Sequence, residues 1–409
     1  MQNGNVLKKD GRLLPSLNSY GKKIFSLIRT LGPVSKTELQ KRTKIKMSTL
    51  NRILQPLVDQ DIVRIVGDGD STGGRRPKLY DISTSKYFLV GIDLSRTYLQ
   101  VILTDLKPGL IDQRQIPMNE TMTPEKTLNV IESMVKEMVS RLPNKEYKLL
   151  GAGIGAPGPL SRKEGMILNP RRFAANGWVN VPICSKVEEL LGIPVIIDLG
   201  VNAAVTAEYM LGSGKERSSL AFINCGVGIR SAFISEGKIV RTLNDREDAF
   251  GHMIIDVDGI KCDCSNYGCI DCYSSIAAIE GNFQKACKTG RSTLIKKAIE
   301  SIDYKDICAA AEQGDELSRE ILTNAAVIIG TGLSNYIKLL NPEHVIISGP
   351  LAKRSQIFFD TVVSTARKKC QGLHELPSQF ERIGSLKDNA IAIGASALCL
   401  ENLLERDSI

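Results

Sequence analysis

The sequence predicts an α/β protein in two parts: a small N-terminal segment of three short helices and a β-hairpin, then a larger two-lobed domain. Three observations predict this. Charge is segregated along the chain. Helical periodicity gives way to a hairpin pattern before residue 83. A strand–turn–strand unit recurs about 130 residues apart in the remainder. At 409 residues the chain has ample length for more than one core, with 43% hydrophobic and 24% charged residues, ordinary values for a globular protein. No apolar run approaches the ~20 residues needed to span a bilayer. The first residues, MQNGNVLKKDGRLLPS, lack the apolar core of a secretory signal. A cytoplasmic protein without a membrane partner is expected.

Residues 1–86 carry 17 Lys+Arg against 7 Asp+Glu, a net +10, so within the total of +8 the remainder is net −2. A basic excess confined to one end implies a polyanionic partner, most often nucleic acid. In residues 20–31, Ile24, Leu27, Ile28 and Leu31 recur at helical spacing, and Gly32-Pro33 ends the run. Ser35 with Glu38 three residues on has the capping-box pattern, opening a second helix over 36–43. Residues 44–47 read as a turn. Ser48 is the expected cap of a third helix over 49–60, whose inner stripe is Leu50, Ile53, Leu54 and Leu57. Next come IVRIV, the turn GDGDSTGGRRP and KLYDI, a hairpin able to serve as a wing. Together these form a winged helix-turn-helix, residues 1–82.

Outside the apolar stripe lie Ser48, Thr49, Asn51, Arg52 and Gln55, polar side chains able to reach base edges. Lys44 and Lys46 stand beside them for phosphates. In the wing, Arg75, Arg76 and Lys78 suit a minor groove or the phosphate backbone. The expected partner is double-stranded DNA.

From Phe88 the pattern FLVGIDLSRTYLQVILTDLKPGLIDQRQI reads strand, turn, strand, turn, strand. It returns as SLAFINCGVGIRSAFISEGKIVR over 219–241. Helices are expected at about 124–141, 185–192, 292–300, 304–312, 316–340 and 388–404. The repeat implies a duplicated fold. Lobe one is placed at about 87–205 with the C-terminal helix at about 388–405, and lobe two at about 206–387.

His252, Cys262, Cys264 and Cys269 offer one imidazole and three thiols at close spacing, a set suited to tetrahedral Zn²⁺. The turn over 265–268 lets Cys264 and Cys269 converge. Four protein ligands close the site, so a structural zinc is expected. Cys272 is a spare thiol.

The head resembles the DNA-binding domain of the ROK repressors through GPVSKTELQKRTKIKMSTLNRIL and GGRRPKLY. Phe88–Leu404 resembles the ROK family (repressors, open reading frames and kinases) end to end. The similar stretches are VGIDLSRTYLQVILTDL, GAGIGAPGPL, NGWVNVPI, GIPVIIDLGVNAAVTAEYMLG, GHMIIDVDGIKCDCSNYGCIDCYSS and HVIISGPLA. The resemblance implies an actin-like, sugar-kinase-type fold with Gly-rich phosphate turns. It also implies a zinc loop that shapes a sugar pocket, with His252 and Asp271 at the sugar.

The kinase pattern is broken where the chemistry needs it. A sugar kinase requires a carboxylate beside the acceptor hydroxyl. In the segment PVIIDLGVNA the family's catalytic Asp falls on Gly200, its Asn on Leu199 and its Glu on Asp198. Ala249 replaces a sugar-contacting Glu. The second phosphate turn reads Gly226-Val-Gly228-Ile-Arg230-Ser-Ala232, with two glycines lost and Arg230 introduced. Ser95 replaces a glycine in the first turn. Kinase activity is therefore not expected. Asp198, Asn202, His252 and Asp271 remain as a polar set for a sugar effector, or Asp198 and Asn202 only cap local backbone.

The first reading is a repressor of carbohydrate genes, a homodimer or homotetramer on a palindromic operator, released by a sugar effector. An active carbohydrate kinase with a regulatory head, and a DNA-binding protein whose kinase-like domain is only a scaffold, stand as alternatives.

Overall fold

The computed structural model describes residues 17–70, 76–144, 146–170, 172–242, 245, 249–371 and 379–406. Arg75 lies outside them. Among the described residues, no helix is long and apolar enough to cross a membrane.

The head consists of α1 (Ser19–Leu31), β1 (Val34–Ser35), α2 (Lys36–Thr43), α3 (Met47–Asp59), β2 (Val63–Asp68) and β3 (Lys78–Ile82). The strands form a sheet in the order β1-β3-β2, antiparallel throughout. Asn18 caps α1 by accepting the Gly21 N–H, and Ser35 caps α2 by accepting the Glu38 N–H.

The start of α3 departs from the sequence expectation. The helix opens at Met47 with Lys46 as its unassisted cap, so Ser48 lies inside the first turn. The cause is upstream. Lys44 adopts the left-handed region (φ 57°) and its N–H closes α2 on the Gln40 carbonyl. Ile45 is buried in the core of the head. A three-residue turn, Lys44 to Lys46, brings the third helix forward.

Two compact units make up the chain. The first comprises residues up to Ala203 and those from Ile391 onward; the second is Ala204–Ala390. In the first, β4 (Tyr87–Leu94), β5 (Tyr98–Thr104), β6 (Leu110–Pro117), α4 (Pro124–Ser140), β7 (Lys148–Ala156), β8 (Leu160–Ser161), β9 (Met166–Ile167), α5 (Ile183–Leu191) and β10 (Val195–Leu199) lead to α6 (Gly200–Leu211), which crosses the boundary. The second holds β11 (Ser219–Cys225), β12 (Ile229–Ser235), β13 (Lys238–Ile239), α7 (Asp271–Ser274), α8 (Ile276–Lys288), α9 (Tyr304–Glu312), α10 (Glu316–Leu340), β14 (His344–Ser348), α11 (Pro350–Arg354), α12 (Gln356–Cys370) and β15 (Gln379–Arg382). The last helix, α13 (Ala390–Arg406), returns to the first unit.

The duplication expected from the repeated hairpin is present. One sheet runs β10-β7-β4-β5-β6 and the other β15-β14-β11-β12-β13. In each, three strands pair antiparallel and the next two add in parallel. The helix expected at 292–300 is absent; only a single 3₁₀ turn forms at Ile299–Ser301. Helices α6, α7, α8, α11 and α12 were not anticipated.

Within the first unit, α13 lies on the sheet at backbone contact. A Cβ on Gly91 would lie 2.1 Å from the Ala392 carbonyl oxygen, and one on Gly153 would lie 1.8 Å from that of Ala395. Only glycine fits beneath the helix at these points.

Farther along, α13 reaches the head. Leu400 and Leu404 share one core with Ile24, Phe25 and Ile28 of α1, Leu54 and Leu57 of α3, and Tyr87, Leu106 and Leu150 of the lobe. The buried Arg29 guanidinium pairs with Glu401. Lys107 reaches Asp81 at 2.8 Å and the Gly32 carbonyl at 3.4 Å. The Tyr87 hydroxyl donates to the Gln60 carbonyl at 2.7 Å. The head is thus built into the lobe.

Gly153→Ala should destabilise the full chain by about 1–3 kcal/mol through overpacking. Gly67→Ala, where an added Cβ meets nothing within 4 Å, should change stability by less than about 0.5 kcal/mol; chemical denaturation of both variants checks this. Glu401→Ala strips the buried Arg29 of its carboxylate and should speed amide hydrogen exchange in α1 while leaving α8 unchanged.

Candidate functional site

Helix α3 carries five of the ten residues singled out for nucleic acid. Ser48, Asn51, Arg52 and Gln55 are exposed there and Thr49 is half-buried, with exposed Lys44 and Lys46 in the turn before. Two have neighbours within the head. Asn51 accepts from the Lys36 ammonium at 2.7 Å, and Gln55 donates to Asp59 at 2.8 Å. In the wing, Arg76 is exposed and Lys78 pairs with Asp68 across the hairpin at 2.8 Å. The sequence signal for Lys36 was missed, because it sits at the start of α2 rather than on α3.

Of the four effector candidates, Asp198 and Asn202 lie in the first unit, and His252 and Asp271 in the second. Asp198 is the penultimate residue of β10 and is buried; its Oδ1 accepts the Leu199 N–H and the Asn202 Nδ2–H, each at 2.8 Å. This side-chain clasp joins the end of the strand to the first turn of α6. Gly200 opens α6, and a Cβ there would meet Ile391 at 3.4 Å, so no crowding imposes glycine. In the first hairpin turn, the Ser95 N–H bonds the Tyr98 carbonyl at 2.9 Å. The Tyr98 hydroxyl donates to the buried Asp93 at 2.7 Å.

The second hairpin turn is occupied by its own side chain. The Arg230 guanidinium lies 3.0–3.1 Å from where a Cβ of Gly228 would be, and donates to the Ile229 carbonyl at 2.9 Å. Asp271 faces the same turn. Its Oδ1 accepts the Ile229 N–H at 2.7 Å and stands 3.7 Å from Arg230. A turn whose N–H groups would cradle phosphate oxygens is here bound to a carboxylate and covered by a guanidinium.

His252, Cys262, Cys264 and Cys269 converge. Their ligand atoms all lie within 4.8 Å of one another. Cys264 Sγ to Cys269 Sγ is 3.6 Å, and Cys262 Sγ to His252 Nδ1 is 3.7 Å. A tetrahedral ion with bonds of about 2.3 Å to sulfur needs edges of about 3.7 Å, so the four residues fit a metal ion. Burial and the Cys264 and Cys262 thiols push the Cys269 thiol far above its ordinary range; a bound cation would reverse that sign.

The loop's backbone fixes this geometry. The Ile255 N–H bonds the Gly268 carbonyl and the Gly268 N–H bonds that of Ile260, at 2.9 and 2.8 Å. Gly268 has φ +69°, and a Cβ there would fall 1.6 Å from the Asp256 carbonyl oxygen, so no other residue fits. Cys272 stays outside the set. Its Sγ donates to the Lys261 carbonyl at 3.8 Å, and burial beside Cys262 pushes it up to about 12.

Comparison with known proteins places these features in a lineage. The ROK family profile matches residues 89–402. The chain is 28% identical to the xylose repressor of Bacillus spizizenii over 375 residues, 91% of this chain and 93% of that protein. It is 23% identical to the N-acetylglucosamine repressor of Escherichia coli O157:H7 over 396 residues, 96% of this chain and 94% of that one. A crystal structure of a ROK family transcriptional regulator, a homologue of the E. coli MLC protein, superposes with a TM-score of 0.80 at 20% identity, covering 95% of this chain and 96% of that one. A ROK family glucokinase from Streptomyces griseus, solved with glucose and AMPPNP, has a TM-score of 0.63 at 23% identity and covers 76% of this chain and 98% of its own. With its profile match running through both lobes, the chain belongs to the ROK family.

Proposed function

We propose that the protein is a sugar-responsive transcriptional repressor of carbohydrate-utilisation genes that binds DNA through its head and transfers no phosphate. The observation that carries this reading is the extent of the similarity. Relatives named as repressors align over nine-tenths of the chain or more, so the head is matched together with the ROK domain. The exposed polar face of α3 and the net +10 of residues 1–86 support DNA as its partner.

In this reading Ser48, Thr49, Asn51, Arg52 and Gln55 meet base edges. Lys44 and Lys46 hold phosphates, and Arg75, Arg76 and Lys78 take the minor groove or the phosphate backbone. Two heads of a homodimer or homotetramer would address half-sites about one helical turn (~34 Å) apart on a palindromic operator. Asp198, Asn202, His252 and Asp271 are the candidates for contacting the sugar. Release requires the sugar to prefer one state of the protein over another.

Loss of phosphotransfer has a chemical rationale. Gly200 supplies no base where the family's Asp would take the hydroxyl proton. Arg230 covers the turn that would bind phosphate. His252, Cys262, Cys264 and Cys269 would hold a structural Zn²⁺, which supplies no catalytic water because protein atoms fill all four positions.

The primary test is a gel shift with the purified full chain and DNA flanking its own gene, at near-physiological salt with nonspecific competitor. A specific band that one sugar releases is expected. A specific band indifferent to every sugar favours the scaffold reading, and no band refutes the repressor. ATP-coupled turnover of any sugar above background would refute the loss of kinase activity. The zinc is tested separately. Metal analysis should give one zinc per chain, absent in Cys264→Ser. Chelation should lower the melting temperature of the second unit by about 5–10 °C, the effect of losing a ligand present at ~100 times its dissociation constant.

A further inference from the structure

We propose that Lys36 is a positioning residue for Asn51, fixing its amide so that the NH₂ edge reads a hydrogen-bond acceptor on a base in the major groove. This rests on the DNA-binding reading above and names how one position of the operator is chosen. Lys36 is half-buried at the first position of α2. Its ammonium lies 5.1 Å from the centroid of the Tyr80 ring and donates to Asn51 Oδ1 at 2.7 Å. It thereby bridges α2, α3 and the wing strand β3. The cation is held by the ring's negative face, so the contact with Asn51 is anchored from behind.

An ammonium has donors only. The amide edge facing Lys36 is therefore the oxygen, and Nδ2 with its two hydrogens is the edge left for a partner. An asparagine without such a neighbour can turn either edge outward. Held this way, Asn51 suits purine N7, guanine O6 or thymine O4, and it mismatches cytosine, which presents the N4 donor. Ser48, Arg52 and Gln55 on the same helix have no comparable anchor from α2 among the hydrogen bonds described, so the effect is confined to one base position per half-site.

The test selects DNA from a duplex library randomised across two half-sites, using the full-length protein and the variants Asn51→Ala, Lys36→Met and Lys36→Arg. Wild type should disfavour cytosine at one symmetric position by about fivefold or more. Asn51→Ala should lose that discrimination. Lys36→Met should lose it at the same position and no other, while Lys36→Arg, which keeps a donor-only cation, retains it. Melting curves show that each variant is folded. Three results overturn the proposal: an unchanged motif in Lys36→Met, discrimination that survives in Asn51→Ala, or a uniform loss of affinity in Lys36→Met with the salt slope reduced by about one, the mark of a phosphate contact. If wild type selects no motif, the DNA-binding reading fails and this proposal falls with it.

Discussion

The contact between α13 and the sheet beneath it is the constraint from which the first unit is built. Gly91 and Gly153 let the helix backbone settle against the strands at distances that exclude any Cβ. That depth of seating brings Leu400 and Leu404 into the core they share with α1 and α3, and sets Glu401 against the buried Arg29. A helix held farther out would leave the Arg29 guanidinium buried without its carboxylate, a costly state. One packing decision, made by two glycines, therefore determines both the closure of the lobe and the seating of the head.

The second unit shows the same topology put to different ends. Its hairpin turn keeps Gly226 and Gly228, yet Arg230 folds over it and Asp271 takes the Ile229 N–H. The turn is part of the scaffold that supports the His/Cys loop, because Asp271 lies two residues after Cys269 of the cluster and opens α7. A Cβ on Gly251, beside the ligand His252, would fall 2.3 Å from the Ile229 carbonyl oxygen and 2.9 Å from Asp271 Oδ1. The glycine replacements in the second hairpin turn and the residues that brace the His/Cys cluster are thus physically adjacent.

Much of this was legible in the sequence, for reasons that differ by element. The first and third helices of the head declared themselves through a 3.6-residue apolar stripe, the second through its capping residues Ser35 and Glu38, and the repeated hairpins through their turns. The cysteine cluster was legible because its ligands lie close along the chain. The start of α3 was misread, because Ser48 is a good cap by type whereas the left-handed Lys44 and the buried Ile45 advance the helix by tertiary packing. The 292–300 segment has helix-forming residues but condenses to one 3₁₀ turn at Ile299–Ser301. Contacts such as Arg29 with Glu401, separated by 372 positions, leave no local trace. Nor does the approach of Lys36 to Asn51, which depends on how two helices cross.

The continuous core of head and lobe bears on how such a protein changes its target over evolutionary time. A head exchanged as a cassette would expose Tyr87, Leu106 and Leu150 on one side and Leu54 and Leu57 on the other, unless the recipient matched their shapes. The outer face of α3 carries no such burden. Ser48, Asn51, Arg52 and Gln55 are exposed and can vary singly without disturbing the packing. Point changes on this one helical face leave the shared core intact, whereas a graft of the whole head must rebuild it.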